Sequence, residues 1–117
     1  MKIRIDPLDK LFSKYICLRD KVCQRCGGAN IACAHFHGRA KKSVRWDEDN
    51  ACALCFGCHI YLDSHPIEKV EFFQGRLGDR YDLLNARANQ LGKPDKEAIE
   101  LYLREKVKLL LGGNNGS

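Results

Sequence analysis

The chain has little of what marks fibrous, disordered or membrane-spanning proteins. Three prolines and ten glycines in 117 residues leave no polyproline or collagen-like stretch, and no segment is repetitive or of low complexity. No apolar run approaches the ~20 residues that a helix needs to cross a bilayer. The first residues, MKIRIDPLDK, contain no apolar h-region; this excludes a secretory signal there and gives the expectation of a cytoplasmic protein, in the host cytoplasm if phage-encoded. Without export a disulfide framework is not expected, and the cysteine count of seven is odd. Paired thiols in a reducing compartment point to metal instead. At 44% hydrophobic and 30% charged residues the chain is too apolar for disorder, and it is too short for two cores, so one domain is expected over 1–117. The net charge of +5 suits an anionic partner such as nucleic acid without requiring one.

What the chain does hold is concentrated chemistry. The stretch CALCFGCHIYLDSH, from Cys52 to His65, gathers three cysteines, two histidines and a carboxylate. Cys23-Gln-Arg-Cys26 and Cys55-Phe-Gly-Cys58 are two C-x-x-C pairs. Each can present two sulfurs to one ion from a tight knuckle, and two knuckles complete a tetrahedral four-thiolate zinc site. Cys52-x-x-Cys55 is an overlapping pair, but Gly57 within Cys55–Cys58 suits a knuckle and lets Cys58 begin the next helix. Cys17, Cys33 and Cys52 are then small hydrophobes of the core.

The remaining elements follow from caps and periodicity. Asp6-Pro7 reads as an N-cap with proline at the first helical position, and Leu8, Leu11, Phe12, Tyr15 and Ile16 keep helical spacing. The helix stops before CQRCGG, where paired glycines allow a tight turn. NIACAHFHG reads as a strand ending at Gly38, KSVRW as a second short strand across the basic Gly38–Lys42 connection, and Asp47–Asn50 as a polar loop. From about Cys58 the pattern turns helical. Beyond Pro66 three helical segments are expected, with Ile67, Val70 and Phe73 on one stripe, breaks at Gly78-Asp79 and Gly92, and an Asp95 cap before a face of Ile99, Tyr102, Val107 and Leu110. GGNNGS reads as a frayed tail. The sum is an α+β domain. Its core lies over about 20–65, where knuckle, hairpin, knuckle and helix form a treble clef. A helical extension over about 66–111 serves as scaffold.

The run AHFHGRAKKSVRWDEDNACALCFGCH between and across the knuckles resembles the HNH endonuclease family. In that motif a histidine ends the first strand, an asparagine sits in the loop after the second, and a histidine opens the helix after the last zinc cysteine. Those positions are His35, Asn50 and His59, and N-x-x-x-L-C-x-x-C-H keeps the family's spacing. The resemblance covers roughly Cys23 to Asp63, and the flanking helices look like those of small phage and prophage HNH proteins. It implies a ββα-metal site that hydrolyses DNA to 5′-phosphate and 3′-hydroxyl ends, with a phage DNA-processing role. His35 would be the general base, His59 a ligand of a catalytic Mg²⁺ or Mn²⁺, which Zn²⁺ could replace, and Asn50 the residue that holds the base tautomer or fixes the loop.

One position departs from the family. An acidic residue or second histidine usually precedes the base; here it is Ala34, which has no donor. Asp63, one helical turn after His59, and His37, two residues beyond His35 on the same strand face, are the candidates for the missing ligand. His65 lies just beyond. Arg39, Lys41, Lys42 and Arg45 are placed to contact phosphates, with a solvated turn as the alternative, and Trp46 reads as core. A zinc-stabilised DNA-binding module without activity is the competing expectation.

Overall fold

A computed structural model describes residues 6–112 of the chain; of the expected GGNNGS tail, Gly112 ends the last helix and the rest lies outside the described residues. The described part holds five helices and one two-stranded antiparallel sheet, an α+β arrangement. The order is α1 (Pro7–Asp20), β1 (Ile31–His35), β2 (Ala51–Cys55), α2 (Phe56–Ser64), α3 (Pro66–Leu77), α4 (Arg80–Ala88) and α5 (Lys96–Gly112). Asp6 caps α1 as its sequence position suggests, its carboxylate accepting the Leu8 N–H at 2.9 Å. Asp95 likewise accepts the Ala98 N–H in the first turn of α5.

The second strand is not where alternation suggested. KSVRW forms a 3₁₀ turn at Lys42–Val44, and β1 pairs instead with ACALC, from Ile31↔Cys55 to His35↔Ala51. The reason is burial on both faces. Ala51, Cys52, Ala53 and Leu54 are all at most 1% exposed, so β2 is a continuous apolar run with no polar side to betray it. Asp47–Asn50 is correspondingly no open loop: Glu48–Asn50 is a second 3₁₀ turn leading straight into β2, and Asn50 precedes that strand rather than following it.

Helices cover the sheet from both sides. On one side Phe12, Tyr15 and Ile16 of α1 meet Trp46, Ala51, Leu103 and Val107. On the other Ala34, Cys52 and Leu54 meet Leu62, Phe73, Leu77 and Leu84 from α2, α3 and α4. Trp46 is thus core, as expected. Two of the expected stripes shift. Ile67 is 77% exposed while Phe73 and Leu77 carry the buried face of α3, and α5 buries Leu103 and Val107 while Tyr102 and Leu110 face outward. The first knuckle is tied to the sheet by the Gln24 N–H donating to the Ala53 carbonyl at 3.0 Å, and Gly27 takes the positive φ of 82° that its turn requires.

Candidate functional site

The two C-x-x-C pairs come together. The Sγ atoms of Cys23, Cys26, Cys55 and Cys58 all lie within 4.8 Å of one another, and none is in a disulfide. Cys26 and Cys55 sulfurs are 3.6 Å apart, close to the ~3.8 Å edge of a tetrahedron with Zn–S bonds of about 2.3 Å. Each pair has a knuckle's backbone: the Cys26 N–H points at Cys23 Sγ and the Cys58 N–H at Cys55 Sγ, both at 3.4 Å. Burial opposes ionisation of Cys23, yet the backbone N–H groups of Cys55, Cys26 and Arg25 draw its thiol down to about 6. At Cys58 the Arg25 guanidinium, 3.4 Å away, favours the thiolate, but burial and the neighbouring sulfurs outweigh it and push the thiol up to about 12. Four sulfurs this close cannot all ionise without a cation among them. The group can hold a metal ion such as zinc. Cys52 and Cys33 differ: desolvation pushes both up to about 12, which fits the packing role expected of them.

The histidines settle into three different environments. His35 ends β1 with its ring 5.6 Å from that of Phe12, and its Nε2 lies 3.0 Å from the carbonyl oxygen of Arg45. A carbonyl only accepts, so Nε2 carries the proton and Nδ1 keeps the lone pair. Burial holds the imidazole below its ordinary range; the Arg45 carbonyl opposes this and the Arg39 charge adds to it. His59, on the first turn of α2, has Nε2 3.3 Å from Asp63 Oδ2, the i,i+4 pairing expected from spacing. His35, His59 and Asp63 line one open pocket of about 420 Å³, together with Asp9, Arg39 and Lys69.

His37 does not join them. β1 ends at His35, where the Phe36 N–H donates to the Asn50 carbonyl, so the two histidines do not share a strand face. The His37 ring instead bonds Asn85 of α4 at 2.8 Å. His65 is also elsewhere, stacked on Tyr61 at 4.0 Å with Nδ1 on the Tyr61 carbonyl. Asn50 is fully buried, and its side chain makes no hydrogen bond to His35. Its Oδ1 accepts the His37 N–H, and its Nδ2 donates to the His37 and Val44 carbonyls at 2.9 and 3.0 Å. Of the two roles open to it, fixing the loop is the one its bonds perform.

Two pocket residues had gone unnoticed in the sequence. Asp9 is gripped by the side chains of Arg45 and Trp46 and approached by Arg39 at 3.6 Å. Arg45 is thereby committed to a carboxylate instead of a phosphate, while Arg39, 63% exposed at its side chain, stays open on the pocket rim with Lys41 and Lys42 exposed nearby. Lys69 of α3 reaches in to bond Asp63 Oδ1 at 2.9 Å. The Asp-Pro cap placed Asp9 on α1, but nothing local to either residue tells which pocket it faces.

Among the described residues the four cysteines are the only group of three or more His, Cys, Asp or Glu side chains closed around one point. The pocket is therefore an open arrangement, a histidine on one wall and a histidine–carboxylate pair on the other. No family model, curated protein or solved structure matches the chain.

Proposed function

We propose that the protein is a metal-dependent endonuclease of HNH type, hydrolysing DNA phosphodiester bonds on a treble-clef scaffold stabilised by zinc at Cys23, Cys26, Cys55 and Cys58. The observation that carries this reading is the shared pocket of His35, His59 and Asp63. His35 has the tautomer a base needs, with Nδ1 able to take a proton from water, and its depressed pKa keeps it neutral at physiological pH. His59 and Asp63 are the donors that would hold a divalent ion; an imidazole with one carboxylate, leaving room for water and phosphate oxygens, suits Mg²⁺ or Mn²⁺. When bound, such an ion polarises the phosphate and stabilises the leaving oxygen. Arg39, exposed on the rim, adds positive charge where an anionic strand would lie, while Lys69 is paired with Asp63.

The second reading, a DNA-binding module without activity, is favoured by one observation: the position before His35 is Ala34, which has no donor. A plasmid assay separates the two. Supercoiled DNA incubated with the purified protein and Mn²⁺ should be nicked or linearised, the reaction should stop in EDTA, and His35→Ala should lose it. DNA binding without cleavage by zinc-loaded protein, in both Mn²⁺ and Mg²⁺, would establish the inactive module instead.

A further inference from the structure

Phe56 opens α2 directly after the zinc ligand Cys55 and is 79% exposed, an aromatic ring without a place in either core. Ile60, one turn further on, is 49% exposed on the same flank. Beside them runs a second groove of about 450 Å³, bounded by Asn30, Ile31, Ala32, Leu54, Phe56 and His59. Its size falls in the ~300–1,000 Å³ span of ligand clefts. His59 lines this groove and the His35 pocket alike, so it is the wall between a charged compartment and an apolar one. Nothing in packing holds Phe56 there: an aliphatic or polar residue at the first position of α2 would serve the helix equally.

We propose that this groove seats an unstacked nucleobase of the substrate strand against the Phe56 ring, next to the scissile phosphate held in the His35 pocket. The inference rests on the endonuclease reading and extends it to a substrate class: DNA that is single-stranded, mispaired or branched at the cut, in preference to intact duplex. The two compartments match the two halves of a nucleotide. The charged side, with Arg39 exposed on its rim, takes the phosphate. The apolar side offers an aromatic face for stacking and the Asn30 side chain at its edge for a base's polar rim. A base can enter only after leaving its stack, which costs least where pairing is already absent. Continuity through His59 is what selects a base as the occupant over an apolar segment of another protein.

The test uses the zinc-loaded protein and its Phe56→Ala and Phe56→Trp variants. Binding of fluorescent oligothymidylate and of a duplex oligonucleotide is measured by anisotropy without added Mg²⁺ or Mn²⁺, and cleavage of single-stranded and duplex DNA is measured with Mn²⁺. Loss of one stacked base weakens binding by about tenfold or more. Phe56→Ala should therefore weaken single-strand binding about tenfold, leave duplex binding near wild type and erase a single-strand preference in cleavage, while Phe56→Trp retains all three. If the wild type cleaves but Phe56→Ala changes neither affinity nor preference, the base groove is overturned and the endonuclease reading stands. If Phe56-dependent single-strand binding occurs with no cleavage of any DNA, the groove stands and the endonuclease reading falls. Equal weakening on duplex and single strand would overturn the groove, because a base locked in its stack cannot reach Phe56.

Discussion

The backbone carbonyl of Arg45 and the Nε2 of His35, ten residues apart in sequence, are joined by a 3.0 Å hydrogen bond. The Arg45 side chain is itself clamped by Asp9 of α1. The tautomer of His35 is thus set by a chain of contacts that starts on the first helix, and Asp9 acts on the imidazole both through Arg45 and by its own charge, which opposes the depression by burial. Under the endonuclease reading, His35→Ala should lower plasmid cleavage by roughly 10²–10⁴-fold while leaving the melting temperature and DNA affinity close to wild type. Asp9→Asn should lower it less. The pH profile carries a further check. Because folding depresses the His35 pKa, the neutral base persists as pH falls below the ordinary ~6.5, so the acid limb of the rate should lie on the acidic side of that value. An acid limb above 6.5 would remove His35 from the role of base.

The four sulfurs should govern folding. Structural zinc contributes apparent binding free energies of about 10–16 kcal/mol, which matches or exceeds the ~5–15 kcal/mol net stability of a typical domain. Purified protein should carry about one tightly held zinc per chain, and Cys23→Ser or Cys58→Ser should abolish soluble expression or cooperative melting. Elemental analysis and a thermal melt decide this; a metal-free protein with an unchanged melting temperature would refute it.

Under the endonuclease reading, the ligand missing at Ala34 would come from α2. Asp63 sits 3.3 Å from His59 Nε2 in the His35 pocket, whereas His37 is bonded to Asn85. Asp63→Ala should raise the Mn²⁺ concentration that gives half-maximal cleavage. His37→Ala should leave that midpoint in place and act on stability, because it breaks a link between the loop after β1 and α4. A shift of the midpoint by His37→Ala alone would move the ligand to the loop.

Restoring a carboxylate at position 34 is expected to fail. From the motif alone, Ala34→Asp ought to preserve or raise activity by returning the family's usual ligand. Ala34 is 1% exposed, among Cys23, Val44, Cys52 and Leu62 on the core side of β1. A carboxylate there has no partner, and unpaired buried polar groups cost several kcal/mol. The melting temperature of Ala34→Asp should fall sharply, and a stable, more active variant would show that the strand can turn this residue toward the pocket.

Legibility of the sequence varied with the kind of signal. The C-x-x-C pairs, the Asp6-Pro7 cap and the i,i+4 relation of His59 to Asp63 are local, and each reads directly from spacing. β2 did not, because a strand buried on both faces has no alternation, and KSVRW imitated one by placing Val44 and Trp46 two apart. The same shift put His37 off the strand, so its apparent kinship with His35 was an artefact of extending β1 too far. Asp9 and Lys69 were beyond reach, since their place in the pocket depends on how α1 and α3 pack across the sheet.

The packing of α1 on α5 has a temporal consequence. Phe12 supports the His35 ring and Asp9 supports Arg45, yet α1 completes its own core only against Leu103 and Val107. Lys96 also reaches back across the chain to Asp6. During synthesis the cysteines and both pocket histidines emerge well before α5, so a nascent chain can gather its metal while the wall behind His35 is still unbacked. Closure between the first and last described helices is a contact of high sequence separation and forms late. The pocket around His35 is therefore backed on this side only once α5 has docked.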